Sequence, residues 1–244
     1  MKYSYLTIIV IFAFAKANSQ ELQPQLTGPQ LLDKTIQYHD PDGKWQHFSD
    51  SLEIITKAPK TKDKTSTVKI NLPEKSFELV SVQGDIVTEY TVFKDSIVTA
   101  AKLDMSKPDS TFVMGKKDFK RAVFMRDYYT YLYGLPMKLK DKGTVISYEI
   151  KRDTLNEKEY LVLRADYEPA VGSDVWFFYI DPETYRMEAY QFYKQKQPRI
   201  KDPQTGEYIL LSEEVEINGI KIPKIREWYY NKNNEYLATD TITD

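Results

Sequence analysis

The chain has 244 residues, with 34 lysine and arginine against 36 aspartate and glutamate. A formal charge of −2 advertises neither a polyanion partner nor a self-repelling disordered segment. Cysteine is absent, which excludes disulfides, thiolate catalysis, iron–sulfur clusters and a lipid-modified cysteine anchor.

In chain order, the first signal is at the N-terminus. Met1-Lys2 supplies a positive start, Leu6 to Ala15 an apolar run, and Ala17-Asn18-Ser19 small residues for cleavage. This pattern predicts a secretory signal peptide over 1–19, too short for a convincing membrane span. The mature chain then starts at Gln20, and 20–244 is expected to form one domain. Losing Lys2 and Lys16 leaves 32 basic residues against 36 acidic ones, a charge of −4. No second run of spanning length follows, so a periplasmic or secreted protein is expected rather than an integral membrane protein.

Gly28-Pro29 followed by Leu31, Leu32, Thr35, Ile36 and Tyr38 predicts a short amphipathic helix. His39-Asp40-Pro41-Asp42-Gly43 ends it. His39, Asp40 and Asp42 resemble half of a calcium loop, but Trp45 stands where a further ligand belongs. A helix stop and a turn are the expected role, with no metal and no cofactor.

From Trp45 onward the pattern alternates. Leu52 to Thr56, Val68 to Leu72, Phe77 to Val82, Ile86 to Phe93 and Ser96 to Ala101 read as strands. Lys57 to Lys64 reads as a lysine-rich loop or a charge-protected edge. A second helix is predicted over Lys116 to Tyr133. Phe124, Tyr128 and Tyr131 fall on one side, with Phe119, Ala122, Val123, Tyr129 and Tyr133 nearly opposite. Two apolar faces imply contacts on both: one with the sheet, the other with a loop, the first helix, a partner or a ligand.

Strands resume at Thr144 to Lys151, Glu159 to Tyr167, Asp174 to Ile180, Tyr185 to Tyr193, Glu207 to Ile217, Lys221 to Tyr230 and Glu235 to Ile242. Asn218-Gly219 is a strong hairpin signal, and Pro223 predicts an edge or a bulge. Ile209, Leu211, Val215 and Ile217 share one face of their strand, while Ser212, Glu214 and Glu216 share the solvent face. Asp174 to Ile180 is apolar on both faces and is expected at the centre of the structure. The fold class that results is mainly β (α+β): one large, curved antiparallel sheet of about ten or more strands, with two helices covering its hollow.

Chemistry is harder to find. There is no G-x-S-x-G elbow and no phosphate-cradling loop among 9 glycines. Glu213, Glu214 and Glu216 offer carboxylates for glycoside chemistry, yet Glu214 and Glu216 simply line a wet face. Arg121, Arg126, Lys138, Lys140 and Lys142 read as a solvated rim, and no nucleic-acid partner is expected. No catalytic residue is assigned. With 19 tyrosines, 11 phenylalanines and 3 tryptophans, the chain is either a well-packed β protein or one with an aromatic groove for lipid or glycan.

The segments Tyr128 to Leu139, Trp176 to Pro182, Ile220 to Pro223 and Trp228-Tyr229 resemble an uncharacterised exported family of Bacteroidota. That resemblance spans most of the mature chain and transfers no catalytic residues. The order of elements is similar to that of the bacterial lipoprotein-carrier superfamily: a leading helix, a wide antiparallel half-barrel and an inserted helical lid.

The expected function is that of an exported soluble protein holding a lipid or other amphipathic ligand between the curved sheet and the helices. Tyr129 and Tyr133 of the second helix, Trp176 and Phe178 of the doubly apolar strand, and Trp228 are the expected lining. An envelope hydrolase or glycan-active enzyme using carboxylates in the same concavity is the alternative, and an envelope protein is a further possible partner.

Overall fold

The computed structural model describes residues 26–94, 97–107, 116–197 and 200–243. The signal-peptide reading of 1–19 lies outside them. Among the described residues, alternation of apolar and polar residues becomes fourteen antiparallel strands in one sheet. Its first half runs β1 (Ser49–Lys57), β2 (Lys64–Asn71), β3 (Ser76–Gln83), β4 (Ile86–Phe93) and β5 (Ile97–Asp104), each paired with the one before. Its second half comprises β6 (Thr144–Ile146), β7 (Lys151–Leu155), β8 (Lys158–Tyr167), β9 (Asp174–Ile180), β10 (Met187–Gln197), β11 (Ile200–Lys201), β12 (Glu207–Ile217), β13 (Ile220–Tyr230) and β14 (Tyr236–Thr243). The halves join where β14 pairs with β1, giving the order β5-β4-β3-β2-β1-β14-β13-β12-β10-β9-β8-β6. The fold is therefore the mainly β, curved and open half-barrel that the sequence pattern implies, with helices α1 (Gly28–His39) and α2 (Lys116–Tyr133).

This topology places α2. The chain leaves the sheet at one edge, β5, and re-enters at the other, β6, so the intervening helix belongs to the hollow between them. Ala122, Met125, Tyr129, Leu132 and Tyr133 pack into the same core cluster as Val68, Phe77, Phe178 and Ile209 of the sheet. Each such buried large side chain contributes about 1.5–3 kcal/mol.

α1 covers β8 and β13. Thr27 caps it, accepting from the Gln30 amide while the Gln30 side chain accepts from the Thr27 amide. Leu31, Leu32 and Thr35 form its buried stripe. Gly28 donates to the Tyr148 carbonyl at 2.8 Å, and a Cβ there would meet the Ser147 carbonyl oxygen at 1.9 Å. Only glycine lets the helix approach so closely.

That contact explains one departure from the sequence reading. The strand expected over Thr144 to Lys151 is two strands, β6 and β7, because Ser147 to Ile150 leave the ladder where α1 begins. Two other expectations change. β9 is buried on both faces, but it lies between β10 and β8, near the β6 edge. Its outer face is dry because Tyr160, Val162, Tyr179 and Ala189 make a second cluster on the convex side. Pro223 sits in a strand interior to the sheet, between β12 and β14. The β14 ladder begins only at Ile225, so the residue without an amide has no β14 partner there, and neighbouring Glu213 leaves the β12 pairing with φ 51°. Asn218 and Gly219, with φ 54° and 79°, form the expected β12–β13 hairpin turn.

Candidate functional site

The hollow of the sheet is mostly filled. Tyr129 and Tyr133 are 4% and 2% exposed, Phe178 is 0% and Trp228 is 8%. These four of the five residues expected to line a ligand site are packed into the core, while Trp176 alone lines the recess that remains.

That recess has a volume of about 610 Å³ and opens beside α2. Its floor and walls include Phe124, Tyr128 and Tyr131 from the outward face of α2, and Phe77 from β3. Tyr167 and Trp176 close the side formed by β8 and β9. Of the two apolar faces expected on this helix, the one bearing Phe124, Tyr128 and Tyr131 borders the recess. The two faces are separated by their burial against the sheet. Tyr129 and Tyr133 continue the small, buried Ala122 and Met125, whereas Phe124 leads outward and is 52% exposed.

The aromatic side chains at and behind the recess fall into two contact groups. Trp176 lies 5.2 Å from Tyr131 and 4.8 Å from Phe192 between ring centroids, and Tyr128 stacks on Trp228 at 6.4 Å. The hydroxyls of Tyr131 and Tyr167 hydrogen-bond each other, which leaves their rings to face the recess. Burial pushes Tyr131 well above the ordinary phenol range, with the Tyr167 oxygen acting in the same direction.

Charges form the rim. Lys138 pairs with Asp141, and Arg126 pairs with Asp127 at 2.8 Å. Asp174, two residues before Trp176 on β9, has no hydrogen bond or ion pair with any described residue. Burial raises its pKa above the ordinary carboxylate value, and Lys194, opposite it on β10, pulls the other way.

Behind the aromatic wall is a polar pocket within the core. Arg226 is 1% exposed; its Nη1 donates to the Pro223 carbonyl at 2.7 Å and its guanidinium stands 3.9 Å from the Tyr133 ring centre. Asp240, across from it on β14, accepts from the Thr56 hydroxyl at 2.5 Å and from the Trp228 indole at 3.0 Å. The Tyr133 hydroxyl finds no partner among the described residues, while the Tyr190 hydroxyl faces the Arg226 guanidinium.

The histidine and glutamate candidates have structural roles. His39 is 0% exposed, with Nδ1 2.8 Å from the Lys221 carbonyl and Nε2 3.1 Å from the Met187 amide. A carbonyl only accepts and an amide only donates, so the ring is neutral with its proton on Nδ1, tying α1 to β10 and β13. Asp40 accepts from the Lys44 and Trp45 amides and so ends the helix in a turn. Glu214 is not simply solvated: it is half-buried, accepts from the Tyr38 hydroxyl at 2.9 Å and pairs with Arg186 at 3.6 Å. No helix among the described residues is long and apolar enough to cross a membrane.

Over residues 5–244 the chain matches the model of a family of unknown function, DUF6503. No curated protein matches it. Among solved structures it is similar to a LolA-superfamily protein of Nitrosomonas europaea, with 13% identity, 89% of this chain and 92% of that chain covered, and a TM-score of 0.48. It is also similar to a DUF1329-family protein of Desulfovibrio piger, with 9% identity, coverage of 89% and 90%, and a TM-score of 0.46.

Proposed function

We propose that this chain, which belongs to the DUF6503 family of unknown function, is an exported soluble protein that holds a lipid or other amphipathic molecule beside α2. The recess of about 610 Å³, with aromatic residues in its wall and a charged rim, is the observation that carries the reading. Its size lies in the range of small-ligand sites, which combine apolar walls with a few placed polar groups. An acyl chain on Tyr128, Tyr131 and Trp176 gains about 0.8 kcal/mol for each buried methylene, while the headgroup stays at the wet rim. Export to the periplasm or the medium follows from the reading of Lys2, the apolar run and the small residues before Gln20 as a signal peptide, with 20–244 acting as one unit.

A glycan-active hydrolase needs two carboxyl groups across one bond. Of the three aspartates in the recess wall, Asp127 and Asp141 are engaged by Arg126 and Lys138. That pairing supports a binder over the hydrolase.

Purified full-length protein, extracted and analysed by lipid mass spectrometry, is expected to yield a co-purified amphiphile. The yield should fall in a Trp176→Ala variant of unchanged circular dichroism. If no amphiphile is recovered and no fluorescent fatty acid binds, the reading fails.

A further inference from the structure

We infer that the β9 end of the recess, at Asp174 and Trp176, seats the ammonium headgroup of an amphiphile. The inference rests on the binding function proposed above and names the chemistry of its ligand.

Three observations on the same wall point to a cation. The first is direction: Asp174 and Trp176 are two apart on a strand, so both side chains emerge on the concave face and both line the recess. The second is that Asp174 is the unengaged carboxylate. Lys138 and Arg126 are taken by Asp141 and Asp127, and Lys194, its cross-strand neighbour, makes no ion pair with it among the described residues. Lys194 is exposed, so water weakens its pull on Asp174.

The third is the surroundings of that carboxylate. Trp176 and Tyr131 lie 5.2 Å apart, with Tyr167 against Tyr131 at 6.2 Å. Ring faces carry partial negative charge and attract ammonium groups, most strongly where water is thinned out. A carboxylate and electron-rich rings on one wall favour a cation and repel an anion. An alkylammonium fits both halves of this wall, since its carbon atoms pack on the rings while its charge meets Asp174. Lys75, on the β2–β3 turn, also lines the recess and would take the anionic part of a zwitterionic headgroup.

The test is titration of the full-length protein, followed by tryptophan fluorescence, with dodecyltrimethylammonium, dodecyl maltoside and dodecyl sulfate below their micelle concentrations. Tetramethylammonium without a chain is the fourth probe. The cationic amphiphile is expected to bind about tenfold more tightly than the uncharged one, and the sulfate more weakly than either. Asp174→Asn should bring the cation to within about twofold of the maltoside, and Lys194→Ser should tighten it.

Equal affinities for the three headgroups in the unmodified protein, or an undiminished preference in folded Asp174→Asn, overturn this inference and leave the binding function standing. If Asp174→Asn fails to fold, Lys194→Ser decides, and unchanged cation affinity there overturns it. Tetramethylammonium binding as tightly as the dodecyl cation assigns the site to a free amine and overturns the amphiphile. If none of the chains binds, the binding function itself falls.

Discussion

α1 and α2 both lie in the hollow of the same sheet, yet their surroundings are opposite in kind. The buried polar groups of α1 itself and of its C-terminal stop are matched. Thr35 donates to the Leu31 carbonyl at 2.9 Å, both nitrogens of His39 are bonded, and both carboxylate oxygens of Asp40 accept amides. Under α2 the Tyr133 hydroxyl is buried without a described partner, at a cost of about 1–3 kcal/mol. The open recess also lies against α2. The contrast teaches that α1 is a pin that closes one end of the half-barrel, while α2 is seated less completely and leaves one face bordering the open recess. Elements that move or bind are drawn from the less stable parts of a fold.

The largest way to break this comparison is to hollow out the pin. Leu31 is 0% exposed, and Leu31→Ala should cost about 2–5 kcal/mol in urea unfolding. A loss below about 1 kcal/mol would mean that α1 is as loosely seated as α2.

A smaller effect separates the two regions by pH. Burial lowers the pKa of His39 below its ordinary 6.5, although the Lys221 carbonyl pulls upward. As pH falls through the ordinary histidine range, the unfolded chain gains a proton that the folded chain refuses, so stability falls until the folded pKa is reached. Melting temperatures at about pH 8 and about pH 5 should differ by more in the unmodified protein than in His39→Gln, which removes this linkage. Tyr129 of α2 contributes nothing in that window, since burial pushes it up to about 12. An unaltered pH slope in His39→Gln would show that the imidazole is not held neutral.

Much of this was legible in the residues. The Asn218-Gly219 turn, the alternation from Glu207 to Ile217 and the whole of α2 were recoverable because local pattern and tertiary burial agree there. The break at Ser147 to Ile150 was not, because its cause is Gly28, more than a hundred residues earlier in the chain. Nor could periodicity say which aromatic face of α2 meets the sheet: both are apolar, and the decision belongs to Phe77, Phe178 and Ile209 across the hollow. Trp176 was recognised as a lining residue, but Tyr128, Tyr131 and Asp174 emerge only once β9 and α2 are set side by side. The engagement of Glu214 was equally hidden, since Tyr38 and Arg186 reach it from distant segments.

The finest test of the comparison compares hydroxyls on the two sides. Tyr133→Phe keeps a ring under the Arg226 guanidinium, where a phenyl face serves nearly as well as a phenol, and removes a buried oxygen that has no described partner. The variant should be neutral or more stable by up to about 1 kcal/mol. Thr35→Val removes an oxygen whose hydrogen bond to Leu31 is made and buried, and should lose about 0.5–1.5 kcal/mol. Opposite signs in paired urea melts are therefore the expected result. If Tyr133→Phe is instead the more damaging change, its hydroxyl is bonded in solution, and the α2 side of the hollow is as well satisfied as the side that α1 closes.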